Sequence, residues 1–223
     1  MKRNINQHRS QVIGNKILIV TEGKNTEPIY FNELSRFYAK IKGLIGVYSQ
    51  GNPNIYEMLS FARKKLKSTR SKGIMSPLQY EKAYILIDRD HFANEPNGIS
   101  RLAEVIQSIK PNEKIEVILS SPCFEFWFFL HFLKESPSDT NVILSKLENE
   151  LKRARIIPSN SRYSKDKRFA SHFMQKLVRM GRLYSACENS VWINKQSLEK
   201  DFWNKHPHTN VHEIIKGLGL WNT

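Results

Sequence analysis

The chain has 223 residues, and its 40% hydrophobic and 25% charged residues are typical of a globular protein, which excludes wholesale disorder. Lysine and arginine number 35 against 21 for aspartate and glutamate, and the net charge of +14 favours an anionic partner, chiefly nucleic acid. Two cysteines exclude a disulfide framework, and the lack of a signal peptide or of about 18 consecutive apolar residues predicts a cytoplasmic protein without a membrane span.

Short apolar segments alternate with amphipathic segments in the first half of the chain. Residues 1–12 are predicted to form a mobile basic tail. The predicted strands cover 16–20, 45–48, 83–87 and 115–119, and the predicted helices cover 26–41, 54–67 and 99–109, with a turn at 51–53. Strands that alternate with helices are typical of a parallel sheet with helices on both faces. We therefore predict an α/β core over residues 13–135.

The second half of the chain is predicted to be helical. The predicted helices cover 124–134, 139–153, 168–186 and 209–218, with basic loops between them. No segment after residue 125 has the pattern of a strand. We interpret residues 136–223 as an α-helical C-terminal extension that packs on the core, either as a helical cap or as the outer helices of the same domain.

Acidic side chains follow three of the predicted strands. Glu22 follows the first, Asp88 and Asp90 follow 83–87, and Glu125 lies shortly after 115–119. Ligands of open parallel sheets bind beyond the carboxyl ends of the strands, so we expect these acids at one edge. In an extended chain Asp88 and Asp90 point to the same side. Carboxylates that share a small volume need a cation, and oxygen ligands favour Mg²⁺ or Mn²⁺, the metals of phosphoryl-transfer sites.

Several side chains have two readings. Glu125 lies among aromatic residues, and is either a metal ligand or catalytic acid or one half of a buried salt bridge. Lys24 either stabilises charge on a phosphate or is a solvated loop lysine. His131 is a hydrogen-bonded core histidine or a catalytic group. His208 and His212 have the spacing of a zinc pair on a helix, but no third ligand lies nearby in the sequence.

Two basic runs are interpreted as contacts to the phosphate backbone of a nucleic acid. The first contains Arg63, Lys64, Lys65, Lys67 and Arg70, and the second contains Lys152, Arg153, Arg155, Arg162, Lys165, Lys167 and Arg168. Tyr163 and Phe169 interleave with the second run. Aromatic side chains beside cations suit single strands or RNA loops, whose bases stack on them.

Four segments together resemble the RloB-like proteins of the abortive-infection AbiL type. They are ILIVTEGKNTEP at 17–28, ILIDRDH at 85–91, SPCFEFWFFLHF at 121–132 and PHTNVH at 207–212. The Glu-Gly pair followed by Asp-x-Asp is also similar to the toprim fold of topoisomerases, primases and overcoming-lysogenization-type nucleases. The resemblance covers nearly the whole chain.

The resemblance implies a toprim-like, Rossmann-like core and a metal-dependent nuclease. By this comparison Glu22 is the toprim glutamate, Asp88 and Asp90 are the metal pair, and Glu27 is a second acidic ligand. Glu125 is implied to be a family-specific acid. Lys24 is counted with the candidate catalytic residues because of its charge and its position after the first strand, not because of the resemblance. The family is implied to act as an effector of bacterial anti-phage defence, or abortive infection, beside an ABC-type ATPase encoded nearby.

We therefore expect an Mg²⁺- or Mn²⁺-dependent nuclease that hydrolyses RNA, tRNA included, or DNA. The sequence has no GxxxxGK[ST] loop, so ATP hydrolysis is expected to come from the partner. The alternative is a basic nucleic-acid-binding adaptor, or an interaction subunit of a defence complex, without catalytic activity. A homo-oligomer is compatible with both readings.

Overall fold

A single mixed sheet organises the computed structural model, which describes residues 16–49, 54–67, 80–199 and 201–222. Its order is β2-β1-β3-β4-β5. The strands are β1 (Lys16–Thr21), β2 (Ile45–Ser49), β3 (Tyr80–Asp88), β4 (Ile115–Ser121) and β5 (His208–Thr209). The first four are parallel, and β5 pairs antiparallel with the end of β4. The predicted α/β class with a mainly parallel sheet is confirmed.

Helices flank the sheet on both sides. They are α1 (Thr26–Phe37), α2 (Ile55–Lys67), α3 (Arg89–Ala93), α4 (Gly98–Gln107), α5 (Glu125–Phe129), α6 (Thr140–Arg153), α7 (Lys167–Arg179), α8 (Leu183–Gln196) and α9 (Val211–Gly217), with 3-10 turns at Ala39–Ile41 and Phe202–Asn204. Among the described residues, none of these helices has the length and apolar character needed to cross a bilayer.

The two faces of the sheet bury separate layers because strand side chains alternate with a period of two. On β1, Leu18 and Val20 pack with α2, α3 and α4. Ile17 and Ile19 pack on the other face, with α1 and with side chains from α5 to α9. The C-terminal helices thus share one apolar layer with the first strand. The domain boundary near residue 135 stays a prediction.

Four of the elements differ from the sequence prediction. The helix predicted over 168–186 is two helices, because Gly181 has a φ of 70° and turns the chain between α7 and α8. The first helix ends at Phe37, and α5 is shorter than predicted. The strand β5 was not predicted, since two residues carry no periodic pattern. The predicted tail at 1–12 and turn at 51–53 lie outside the described residues.

Candidate carboxylate site

Four acidic side chains lie together where the parallel strands end. Glu22 follows β1, Asp88 ends β3, Glu125 begins α5 beyond β4, and Glu27 lies in the first turn of α1. Burial is the main cause that raises the pKa of Asp88 well above its usual range, and the charges of Glu27, Glu125 and Glu22 add to it. The edge predicted from the strand ends therefore holds these four carboxylates within electrostatic reach of one another.

The glycine after Glu22 is explained by the position of Glu27. The Glu27 side chain is buried, and its carboxylate lies against the backbone of Gly23. A Cβ added at Gly23 would come within 2.7 Å of the Oε1 atom of Glu27, closer than real Cβ contacts allow. A side chain at position 23 would thus require the Glu27 carboxylate to move, and glycine leaves room for its observed position.

The Glu22 carboxylate connects the ends of two neighbouring strands. Its Oε2 accepts a hydrogen bond from the backbone N–H of Asp88 at 3.4 Å. Its Oε1 lies 3.1 Å from Nδ1 of His91, on α3. Burial is the largest cause of the raised pKa of Glu22, and His91 and the Asp88 N–H oppose it. His91 is a site residue that sequence reasoning missed, although it directly follows the Asp-x-Asp pair.

The Glu125 carboxylate is fully buried and has one satisfied and one unsatisfied oxygen. Its Oε1 accepts a hydrogen bond from the Tyr163 hydroxyl at 3.0 Å and lies 2.9 Å from the Lys165 ammonium. Its Oε2 is buried without a hydrogen-bond partner. The salt bridge that the sequence left open is therefore present. The catalytic or metal role of Glu125 stays a prediction.

The loop at 154–166, between α6 and α7, brings Tyr163 and Lys165 to the site. The Asn25 amide, at the start of α1, donates to the Lys165 carbonyl at 3.2 Å and fixes the loop beside β1. The sequence marks Tyr163-Ser164-Lys165 as similar to a family motif and predicts a nucleic-acid contact for Lys165 and base stacking for Tyr163, but it does not predict their contact with Glu125. No sequence spacing links these residues to Glu125, so only the folded chain shows the contact.

The chemistry of the cluster fits a hard divalent cation. Oδ1 of Asp88 and Oε2 of Glu125 are buried without partners, and burial, followed by the charge of Glu125, raises the pKa of Glu27 to about 7. Carboxylate oxygens that have no hydrogen-bond donor or cation beside them are suitable ligands for Mg²⁺ or Mn²⁺. In the described ranges, no three His, Cys, Asp or Glu side chains are already arranged to hold a metal ion. The ammonium of Lys165 supplies positive charge beside Glu125 instead.

Asp90 does not share this arrangement with Asp88. The extended geometry expected after residue 87 is wrong, because α3 begins at Arg89 and Asp90 lies in its first turn. The Asp90 N–H donates to the Pro122 carbonyl at 3.1 Å, and its Oδ2 accepts from the Thr140 hydroxyl at 3.0 Å. Its side chain thus faces the start of α6. Its role as a metal ligand stays a prediction.

The positions of Lys24 and of three histidines bear on the alternative roles that the sequence leaves open for them. Lys24 is exposed in the loop after β1. The buried His131 ring lies 3.3 Å from the Tyr30 hydroxyl and 3.0 Å from the Trp127 carbonyl, and burial lowers its pKa to about 4. His208 lies on β5 and His212 on α9, both buried. They are therefore not a pair on one helix.

The two basic runs lie at different places. Arg63 on α2 forms a two-point ion pair with Glu113 at 2.8 Å. Arg63 and Lys67 line a cavity of about 550 Å³ together with Tyr80 and Ile115, the first residues of β3 and β4. The first run therefore lies toward the edge opposite the carboxylates, and the second, through Lys165, reaches them. Arg70 lies outside the described residues.

The raised pKa of Glu27 predicts an unusual pH dependence of stability. In EDTA, the free energy of unfolding should fall as the pH rises from about 4.3, the pKa of an unfolded glutamate, to about 7. In this window the unfolded chain has released a proton that the folded chain still binds.

Urea unfolding of the wild type and of Glu27→Gln between pH 4.5 and 8 measures this pH dependence of stability. Glu27→Gln should flatten the slope, whereas the exposed control Glu81→Gln should retain it; equal slopes in all three proteins would contradict the prediction.

Comparison with known proteins identifies one family. The family model described as RloB-like protein matches residues 17–218, which is most of the chain. No match was found among the curated proteins or among the solved structures.

Proposed function

The chain belongs to the RloB-like protein family, and from this premise we propose that it is a divalent-metal-dependent nuclease. It hydrolyses phosphodiester bonds of RNA, tRNA included, or of DNA. One observation supports the proposal most: buried carboxylates, two of them with unpartnered oxygens, cluster at the carboxyl edge of a parallel sheet. This is the edge at which open α/β sheets bind their ligands.

Glu22 and Asp88 would hold the metal, with Glu27 and Glu125 beside them. A metal contact of Asp90 would require its side chain to leave the Thr140 hydroxyl. A bound Mg²⁺ or Mn²⁺ supplies an activated water and polarises a phosphate oxygen. Gly23 keeps the Glu27 carboxylate close to the backbone, so the acid stays within the cluster.

Lys165 has a second part in the proposed reaction. Its ammonium lies 2.9 Å from Glu125, yet 58% of its side chain is exposed, so it is accessible from solvent. With a divalent cation bound beside Glu125, the Lys165 ammonium would be free to contact a phosphate oxygen. A cation placed there stabilises the negative charge that develops on the phosphate during hydrolysis.

The biological setting follows from the family resemblance. We propose that the chain is an effector of bacterial anti-phage defence, acting in the cytoplasm by abortive infection. An ABC-type ATPase encoded nearby would supply the ATP hydrolysis for which this sequence has no GxxxxGK[ST] loop.

A second candidate function is a non-catalytic nucleic-acid-binding adaptor. The ion pair between Lys165 and Glu125 favours it, because an internal cation already compensates part of the buried negative charge. An adaptor would bind polynucleotides in EDTA and would cleave none of them with any divalent metal.

Cleavage by a Glu22→Gln variant tests the nuclease proposal. Labelled tRNA, single-stranded RNA, single-stranded DNA and duplex DNA are incubated with Mg²⁺, Mn²⁺ or EDTA, with and without the ATPase encoded nearby. The wild type should cleave at least one substrate with a metal. Glu22→Gln should lower the cleavage rate by roughly 100-fold or more, because replacing residues that only support a metal ligand already lowers activity about 10- to 100-fold. The control Glu95→Gln alters an exposed acid that also contacts His91, at 3.3 Å, and should retain the rate. Binding without any cleavage would establish the adaptor.

A further inference from the structure

A cationic cavity lies between the end of α6 and the middle of α7, apart from the carboxylates. Its volume is about 470 Å³. It is lined by Lys152, Arg155, Ile157, Pro158, Ser159, His172 and Lys176. Three of these side chains are cationic, one is a histidine, and none of the described residues that line the cavity is acidic. Such a wall attracts an anion.

The cations of the cavity differ in how far the protein compensates them. Lys152 is paired with Glu148 at 2.6 Å. Lys176 donates to the Ile156 carbonyl at 3.1 Å and to the Arg155 carbonyl at 3.5 Å. These bonds fix the position of the ammonium, but they do not neutralise its charge, and its third N–H can still donate to a ligand. The side chains of Arg155 and His172 are exposed and form no ion pair with an acid in the described part of the chain. Arg155 is therefore ready to contact an external anion.

The backbone around Arg155 is fixed before any ligand binds. Arg155 has a φ of 55°, in the left-handed region, immediately after α6. Its N–H donates to the Lys152 carbonyl at 2.9 Å, and the N–H of Ile156 donates to the Leu151 carbonyl at 2.9 Å. Further along the loop, the N–H of Tyr163 donates to Glu148 at 2.8 Å. Binding at a preformed site costs little conformational entropy.

A stripe of side chains on α7 connects the cavity with the carboxylate site. Arg168, His172 and Lys176 are spaced four residues apart, so they lie along one face of the helix. They span eight residues, about 12 Å at a rise of about 1.5 Å per residue. Lys165, three residues before Arg168, contacts Glu125. The stripe thus leads from the proposed reaction site to the cavity.

We infer that this cavity binds a backbone phosphate of a polynucleotide whose reacting phosphate lies at the carboxylates. Because the stretch of α7 between Arg168 and Lys176 is about 12 Å long, the strand has to extend several nucleotides beyond the reacting bond to reach the cavity. The identity of the ligand rests on the proposed function. RNA and DNA share the phosphodiester backbone that the cavity would bind, and the experiment below measures the binding of each separately.

Binding of labelled oligonucleotides by Arg155→Gln tests this inference. Fluorescence anisotropy in EDTA is recorded over a range of KCl for single-stranded RNA and DNA of two, four, six and twelve nucleotides. With the wild type, affinity should rise between two and six nucleotides. With Arg155→Gln, the twelve-nucleotide strands should bind roughly 5- to 10-fold more weakly, with a salt slope smaller by about one. Arg179→Gln, which changes an exposed arginine at the end of α7 and outside the cavity, is the matched control.

The outcomes separate this inference from the proposed function. An unchanged affinity and salt slope for folded Arg155→Gln would overturn the cavity proposal, whatever the cleavage assays show. An equal loss in Arg179→Gln would also overturn it, because general charge would then be the cause. Weakened binding by Arg155→Gln without any cleavage by the wild type would support the cavity and reject the nuclease. Failure of the wild type to bind either RNA or DNA would reject the cavity proposal as well.

Discussion

Asp88→Asn is expected to abolish divalent-metal binding and, at the same time, to raise the melting temperature of the metal-free protein. Oδ1 of Asp88 is buried without a partner, and the charges of Glu27, Glu125 and Glu22 disfavour its ionised form. A neutral amide removes that repulsion and donates to the neighbouring acids. Relief of roughly 1 kcal/mol would raise the melting temperature by about 2–4 °C in a chain of this size.

Two measurements on Asp88→Asn are required. Calorimetric titration with Mn²⁺ should show heat for the wild type and none for the variant, and thermal unfolding in EDTA should show the increase. Asp201→Asn, which changes an exposed aspartate outside the cluster, is the control and should alter neither the Mn²⁺ titration nor the melting temperature. Wild-type Mn²⁺ affinity in Asp88→Asn would reject the metal site. A lower melting temperature in EDTA would show that Asp88 is stabilised by a partner.

Lys165→Met is expected to destabilise the protein only while Glu125 is present. The substitution leaves a carboxylate with 1% of its side chain exposed and no cation beside it. Breaking a fully buried pair costs about 3–5 kcal/mol, but Lys165 is more than half exposed, so screening reduces the expected loss to about 1–2 kcal/mol. In a Glu125→Gln background the same change should cost close to zero. The cleavage rate should fall on the Lys165→Met substitution whether residue 125 is Glu or Gln.

A double-mutant cycle by urea unfolding measures this coupling. The interaction energy between Lys165→Met and Glu125→Gln should be about 1–2 kcal/mol. Lys167→Met, which removes an exposed lysine from the start of α7, is the control and should change stability little. Mn²⁺ should bind Lys165→Met more tightly than the wild type, because the ammonium no longer competes for Glu125. Additive effects of the two substitutions would show that the ion pair contributes nothing to stability.

Local sequence patterns were sufficient for the four parallel strands and for part of the site. Apolar runs with Ile and Val located the four parallel strands, and the position of Glu22 and Asp88 at strand ends was enough to place them at one edge. The direction of Asp90 was wrong because the alternation of a strand was continued into residues that begin a helix. Over residues 88–90, secondary-structure propensity alone does not distinguish the continuation of a strand from the start of a helix.

The remaining site contacts depend on tertiary structure. Lys165 and Tyr163 are 40 and 38 residues away from Glu125, and they approach it because α7 packs on α1 and the loop before it bonds to Asn25. A hydrophobic pattern predicts that α7 has a buried face but not which helix covers it. The cationic cavity likewise needs α6 and α7 side by side, so composition indicated an anionic partner without a location.

The pairing of β5 with β4 also affects the order in which the molecule forms during synthesis. The hydroxyls of Ser120 and Thr209 lie 2.9 Å apart although 89 residues separate them, and Ser121 lies 2.6 Å from His206. A ribosome releases the four parallel strands long before Thr209, so the nascent chain carries an open strand edge next to its acidic cluster. Open edges recruit other strands and aggregate. We expect translation that stalls before residue 208 to yield chains that chaperones or proteases recognise, so that the carboxyl edge is completed only late in synthesis.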